Sequence, residues 1–287
     1  MSAPRTPVRA TSARRVVAVR GGSVVEREDE LAGEAPLEIR AAGPGQEPVA
    51  VAVTMRTPGA EPELAAGFLY SEGLIAAGDV VGTERADPAT HAQPDDTILV
   101  RLRRPIDPSV VPTRHFVATA SCGICGKASI DEVAVRCAPL PAGPLVRRDV
   151  LLGLPATLRA AQTAFEATGG LHASGLFTPD GTLVGLREDV GRHNALDKLV
   201  GTELLAGRAP LHDRVLLVSG RTSFEIVQKA VVAGIPIVAA VSAPTDLAVE
   251  AAERLGLTLV GFLRGDGFNV YAGRERIDLD SPGRSPG

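Results

Sequence analysis

The segment Ala120-Ser121-Cys122-Gly123-Ile124-Cys125-Gly126-Lys127 holds the residues best suited to covalent chemistry. Its pattern predicts a strand that ends ahead of Cys122 and a helix that starts there. A thiol at a helix start sits among free N–H groups at the positive end of the dipole, which favours thiolate over thiol. Lys127 pushes the same way, and Gly123 and Gly126 leave the sulfur atoms little covered. Three readings fit such a pair. A structural or zinc-binding role would draw on His115, Cys122, Cys125 and Cys137, but a histidine seven residues ahead of the pair is not a usual zinc spacing. A thioredoxin-like redox pair is the second, although that fold sets its cysteines in an N-terminal β–α unit and these lie mid-chain. The third is a sulfur carrier, in which one thiolate accepts sulfane sulfur and holds it as a persulfide. Residue chemistry alone does not separate the last two. Cys137 follows Ile130, Val133 and Val135 in an apolar pattern and reads as core.

A second group of polar residues stands where three apolar runs stop. The first run ends in Ser219-Gly220-Arg221-Thr222-Ser223, the second in Ser242-Ala243-Pro244-Thr245, and the third in Phe262-Leu263-Arg264-Gly265-Asp266-Gly267. In an open α/β sheet, ligands bind beyond the carboxyl ends of the strands. Helix starts there present N–H groups to phosphate, and Arg221 and Arg264 supply matching charge. Asp266 is suited to accept hydrogen bonds from a guanine edge. Serine and threonine at such places are also ordinary helix caps, so it is the three together that point to a ligand. A third group, Asp189, Arg192, His193 and Asn194, crowds one helix start away from the apolar Ala195, Leu196 and Leu199. It is a candidate polar pocket.

The elements that position these residues fall into two regions. Residues 1–15 and 278–287 read as flexible tails, 16–110 as a small α+β domain and 111–277 as a larger α/β domain. In the first, Val17–Val25, Pro36–Arg40, Pro48–Arg56 and Thr97–Leu102 predict strands, and Glu61–Ser71 predicts a helix with Leu64, Phe68 and Leu69 on one face. In the second, Leu171–Leu186 predicts a hairpin about Pro179-Asp180-Gly181, followed by a helix from Asp189 or Val190. Strands at 215–220, 235–241 and 257–262 alternate with helices at 223–233 and 245–255, the pattern of a parallel α/β layer.

Composition bounds the function. The 287 residues are 45% hydrophobic and 22% charged, ample for a globular core. A net charge of −4, no Trp and 3% aromatic residues argue against nucleic acid as a partner. No apolar stretch of membrane-spanning length occurs, and the first residues lack the apolar centre of a secretory signal. Three cysteines do not make a disulfide framework in a chain of this length, so the expected compartment is the cytoplasm.

Ser121–Gly126, Asp189–Lys198 and Ser219–Glu225 follow one another as they do in the FdhD family. Ala66–Ile75 resembles that family's N-terminal region, and Phe262–Gly267 its cofactor-binding segment; the resemblance covers roughly residues 16–278. It implies a small N-terminal domain and a larger domain similar to cytidine deaminases. Deamination itself is disfavoured, because no His-x-Glu or Cys-x-Glu partner for the cysteine pair is present. The resemblance further implies a sulfurtransferase that takes sulfur from a cysteine desulfurase and passes it to bis-molybdopterin guanine dinucleotide for the formate dehydrogenase catalytic subunit. Cys122 would bear the persulfide, and Cys125 would assist by attacking it. Phe262, Leu263, Arg264, Gly265, Asp266 and Gly267, with Arg221 nearby, would hold the cofactor or a guanine nucleotide, with no structural metal and a homodimeric assembly. Two other functions compete: a chaperone that delivers the molybdenum cofactor without covalent chemistry, and a disulfide oxidoreductase.

Overall fold

The computed structural model describes residues 9–87, 94–109, 111 and 140–280. Cys122, Cys125, Lys127, Cys137 and His115 lie outside the described residues, as does the strand expected over 114–120.

The chain begins with a two-stranded ribbon, β1 (Thr11–Arg20) and β2 (Ser23–Ala32), paired antiparallel along its whole length. A single strand was expected over Val17–Val25. Gly21 and Gly22 instead take φ of +52° and +84° and fold the segment back on itself, in the left-handed region where glycine is at home. The ribbon's first strand also starts at Thr11, inside the segment expected to be a tail.

β3 (Ala35–Ala42), β4 (Val49–Arg56), β5 (Val80–Arg85) and β6 (Thr97–Leu102) form a four-stranded sheet in the order β4-β3-β6-β5. In β3 buried residues alternate with half-buried ones as far as Ala41, and its inward Leu37, Ile39 and Ala41 pack toward α1 (Glu61–Ser71).

A second sheet has six strands in the order β13-β12-β11-β10-β8-β9. They are β8 (His172–Phe177), β9 (Leu183–Asp189), β10 (Val215–Val218), β11 (Ile237–Ala240), β12 (Thr258–Arg264) and β13 (Gly267–Ala272). β10, β11 and β12 run parallel, and β8, β9 and β13 close the edges antiparallel. One face of this sheet is covered by α4 (Arg192–Leu205), α5 (Phe224–Val232) and α6 (Asp246–Leu255). The other is covered by α2 (Arg148–Ala161), which is followed by the short α3 (Thr163–Thr168). Val215 and Leu217 point to one side of β10 and Leu216 and Val218 to the other, all buried. Burial on both faces is why this strand reads as an unbroken apolar run. A short parallel pair, β7 (Val146–Arg147) with β14 (Ile277–Asp278), ties the C-terminal end to the start of α2.

The two sheets share one core through the crossing of α1 and α4. A Cβ at Gly67 would lie 1.9 Å from the Asp197 carbonyl oxygen, and one at Gly201 would lie 1.8 Å from that of Glu63. Backbone therefore meets backbone at this crossing, and only glycine fits. Gly201→Ala is expected to push the helices apart and cost at least about 1–3 kcal/mol, measured by urea unfolding; unchanged stability would contradict this contact.

Candidate functional site

Three strand ends converge as the sequence suggested. Beyond β10, the Thr222 N–H donates to the Ala243 carbonyl (3.2 Å), and the Thr245 N–H donates back to the Thr222 carbonyl (2.9 Å). Beyond β11, the Ser242 carbonyl accepts from the Phe262 N–H at 3.1 Å. The loops after β10 and β11 and the end of β12 are thus stitched into one rim. Arg221, Arg264, Gly265, Asp266 and Gly267 are exposed on it, Phe262 is half-buried, and Leu263 is wholly buried. Leu263 accordingly offers its backbone to this rim and its side chain to the core.

The segment 262–267 is a bulged hairpin rather than a loop after the strand. β12 continues to Arg264, which pairs with Gly267 across a turn of Gly265 (φ +60°) and Asp266. Phe262 takes φ +53°. A bulky residue in the left-handed region is strained, and such strain collects at functional sites. The register shift between Gly261 and Arg264 turns Leu263 inward and sets the Arg264 guanidinium 5.5 Å from the centre of the Phe262 ring. Gly261 makes room for it: a Cβ there would meet Pro244 at 2.8 Å and Tyr271 at 2.9 Å.

Next to this rim lies a polar centre built from α1, α4 and α5. The α6 start is capped in the ordinary way, with Thr245 Oγ1 accepting from the Ala248 N–H. At the α5 start Ser223 makes no such cap; its hydroxyl lies 3.2 Å from His193 Nε2. Glu225 approaches the same nitrogen at 3.5 Å. One helical turn further, Lys229 is fully buried, with its ammonium 2.6 Å from Glu72, 3.1 Å from Asp197 and 3.0 Å from the Ser71 hydroxyl. It also sits 5.1 Å from the centre of the Phe68 ring.

Protonation in this centre departs from ordinary values. His193 is pushed down to about 3 by burial and by the positive charges of Arg192, Lys229 and His172, so its ring is neutral. Glu225 is pushed up to about 7, mainly by burial; Glu72 and Asp197 add to this, against the pull of Lys229 and Arg192. For Lys229 burial opposes the charge, but Asp197, Glu72 and Glu225 outweigh it and hold the ammonium above the usual lysine range. His172 is lowered by burial and Arg192, against Asp189. Because Ser223 and Glu225 meet the same ring nitrogen, this is not a nucleophile relay, in which the acid would hold the other nitrogen. It is an arrangement in which a carboxyl titrating near neutrality faces a neutral imidazole, able to give or take a proton at neutral pH.

A depressed His193 contributes stability present above about 6.5 and lost as pH falls toward 3, on the order of 5 kcal/mol. The raised Glu225 contributes stability present below about 4.5 and lost as pH rises through 7, on the order of 3 kcal/mol. His193→Gln should therefore flatten the acid limb of a stability-against-pH curve and Glu225→Gln the neutral limb. Curves parallel to wild type would contradict these environments.

The group Asp189–Asn194 divides in two. Asp189 is fully buried, accepts the Thr57 N–H (3.0 Å) and the Gly191 N–H (2.8 Å), and pairs with Lys198 at 2.7 Å. Asn194 donates to the Met55 carbonyl at 2.7 Å. These two side chains are spent on fastening the second sheet's helix to β4. His193 faces the polar centre, where Arg192 is one of the charges acting on it. Glu72, Asp197, Glu225 and Lys229 were not singled out from the sequence. The available signal was a Glu and a Lys four apart inside the apolar helix FEIVQKAVV. Among the described residues, no cluster of histidine, cysteine and carboxylates suits a metal ion, and no helix is long and apolar enough to cross a membrane.

The profile of the FdhD/NarQ family matches residues 32–278. The sulfur carrier protein FdhD of Nocardia farcinica is 53% identical over 280 residues, covering 96% of this chain and 98% of its own. That of Sulfurisphaera tokodaii is 43% identical over 263 residues, covering 92% and 97%. A crystal structure from Desulfotalea psychrophila, described as a formate dehydrogenase accessory protein, superposes with a TM-score of 0.71 at 25% identity over 94% of this chain and 100% of that one. On the length and identity of these matches, the chain belongs to the FdhD/NarQ family.

Proposed function

We propose that the protein is a sulfur carrier for formate dehydrogenase maturation, a cytoplasmic sulfurtransferase working as a homodimer. The observation that carries this is identity of about half over nearly the full length with relatives named sulfur carrier protein FdhD. In this reading the Cys122 thiolate attacks the terminal sulfur of a persulfide on a cysteine desulfurase. One S–S bond forms as another breaks, the donor leaves as thiolate, and the sulfur stays at the persulfide level. The carried sulfur is a soft ligand suited to molybdenum, and its acceptor is bis-molybdopterin guanine dinucleotide. The rim formed by Phe262–Gly267 and Arg221 would hold that cofactor as cargo: Asp266 against the guanine edge, and Arg264 and Arg221 against phosphate. Cys125 would attack the persulfide after loading and release sulfide, leaving a disulfide.

The test is formate dehydrogenase activity in cells that lack their own carrier and are supplied with this chain. Wild type should restore activity and Cys122→Ala should not. Restoration by Cys122→Ala would favour a cofactor chaperone that uses no covalent sulfur.

A further inference from the structure

The starts of α4 and α5 face each other and carry donors that the sulfur-transfer chemistry does not use. Neither N-cap residue, Gly191 or Ser223, gives a side-chain cap, so the first N–H groups of both helices lack a capping oxygen. His193 ties the two starts together, with Ser223 at 3.2 Å and Glu225 at 3.5 Å from its Nε2. α4 opens on Arg192 and carries no acid in its first turn. A cation there works against the helix dipole, and the Arg192 Nε is buried with no hydrogen-bond partner among the described residues.

The sheet adds a hydroxyl from below. Ser174 on β8 is 1% exposed, and its Oγ likewise has no partner among the described residues. It pairs with Val218 of β10, and the alternation of β8 puts it on one face with His172 and Leu176. Leu176 and Val218 pack in the cluster that holds Leu196 and Leu199 of α4 and Ile226 of α5. The Ser174 side chain therefore points toward these helices and away from α2. His172 is close enough for its charge to act on His193, and Arg192 acts on both rings. Buried polar groups normally have partners; here a hydroxyl, a guanidinium nitrogen and two helix starts lack them in one corner. Donors and positive charge gathered from three elements suit an anion. Of the neighbouring carboxyls, Asp189 is paired with Lys198, and Glu72 and Asp197 with Lys229. Glu225, pushed up to about 7, can stand neutral beside an anion.

We propose that the corner between the α4 and α5 starts binds a doubly charged oxyanion of the phosphate or sulfate class, through Arg192, Ser174, Ser223 and the free N–H groups of both helices. It uses none of the rim residues Phe262–Gly267 and stands whether or not the chain carries sulfur.

Sulfate, which stays doubly charged across neutral pH, is the probe. It is titrated into the full chain at fixed ionic strength, with chloride making up the difference, while the histidine ring resonances are followed by NMR. His172 and His193 should shift saturably. His212, held on the Gly234 carbonyl (3.1 Å) ahead of β10 at the opposite end of the sheet, should not. Arg192→Gln should weaken sulfate about tenfold or more, and Ser174→Ala about two- to tenfold. Glu225 is faced by Arg192, His193, Asp197, Glu72 and Lys229, and as it ionises through about pH 7 affinity should fall. Glu225→Gln should remove that fall. Repeating the titration with saturating guanosine diphosphate separates two sources, an arm that alone rests on the rim reading. Competition would assign the oxyanion to a phosphate of the rim's nucleotide, and undisturbed binding to a separate anion. No shift in wild type, an equal shift of His212, or Arg192→Gln and Ser174→Ala binding as tightly as wild type would overturn the site.

Discussion

Replacing Lys229 by methionine is expected to cost about 3–5 kcal/mol of stability, the usual penalty for removing one partner of a buried ion pair. The side chain is fully buried, and its ammonium reaches Glu72 just past the end of α1, Asp197 on α4 and the Ser71 hydroxyl on α1. Methionine fills similar space but leaves the Asp197 carboxylate, itself 1% exposed, without its counter-charge. Since α1 belongs to the first sheet and α5 to the second, the loss falls on the junction that joins them. Urea unfolding near neutral pH reads it directly. Adding Asp197→Leu to Lys229→Met should recover much of the loss, because an apolar pair needs no counter-charge. A cost below about 1 kcal/mol for Lys229→Met would mean that the cluster is hydrated and does not hold the junction.

A second large effect is expected at the rim. Arg264→Ala and Asp266→Asn should each weaken binding of a guanine nucleotide by roughly 10- to 100-fold, the range of one charge-assisted hydrogen bond of about 1.5–3 kcal/mol. Both side chains are exposed, so the fold should be unaffected. Calorimetric titration with guanosine diphosphate tests this, and an adenosine diphosphate control separates the two positions. Asp266→Asn should reduce the preference for guanine, while Arg264→Ala should weaken both nucleotides alike. If neither variant changes affinity, the strained turn at Phe262 serves some purpose other than holding this cargo.

Much of the fold was legible because its signals are local. Leu64, Phe68 and Leu69 placed α1, and the apolar runs at 215–220, 235–241 and 257–262 placed the parallel layer. The Pro-Asp-Gly turn placed the hairpin of β8 and β9. Non-local arrangements hid the rest. α2 contains Gly153 and Pro155, helix breakers that mask the buried stripe of Leu151, Leu154 and Leu158. The turn at Gly21-Gly22 was absorbed into one strand because valines flank it on both sides. The helix α4 starts two or three residues later than the sequence suggests, since Asp189 and Val190 serve β9 and the link to β4 before the helix begins.

The candidate site divides along the same line. Strand ends are readable wherever an apolar run stops at Ser, Gly or Arg, and the rim was found that way. Nothing local shows that Phe262 takes a left-handed conformation, because the cause is the backbone tie to Ser242 and the close approach of Pro244 and Tyr271 to Gly261. Likewise Lys229 finds Glu72 and Asp197 only once α1, α4 and α5 have packed. The sequence places His193 in a polar group at a helix start, but its partners Ser223 and Glu225 lie thirty or more positions away.

The central claim is that Cys122 carries sulfur, and intact-protein mass spectrometry tests it most directly. The full chain is incubated with a cysteine desulfurase and cysteine, beside Cys122→Ala. Wild type is predicted to gain the mass of one sulfur atom that a reductant then removes, and Cys122→Ala is predicted to gain none. A wild type that stays reduced and metal-free without that gain, or a variant that loads as well as wild type, would contradict the account.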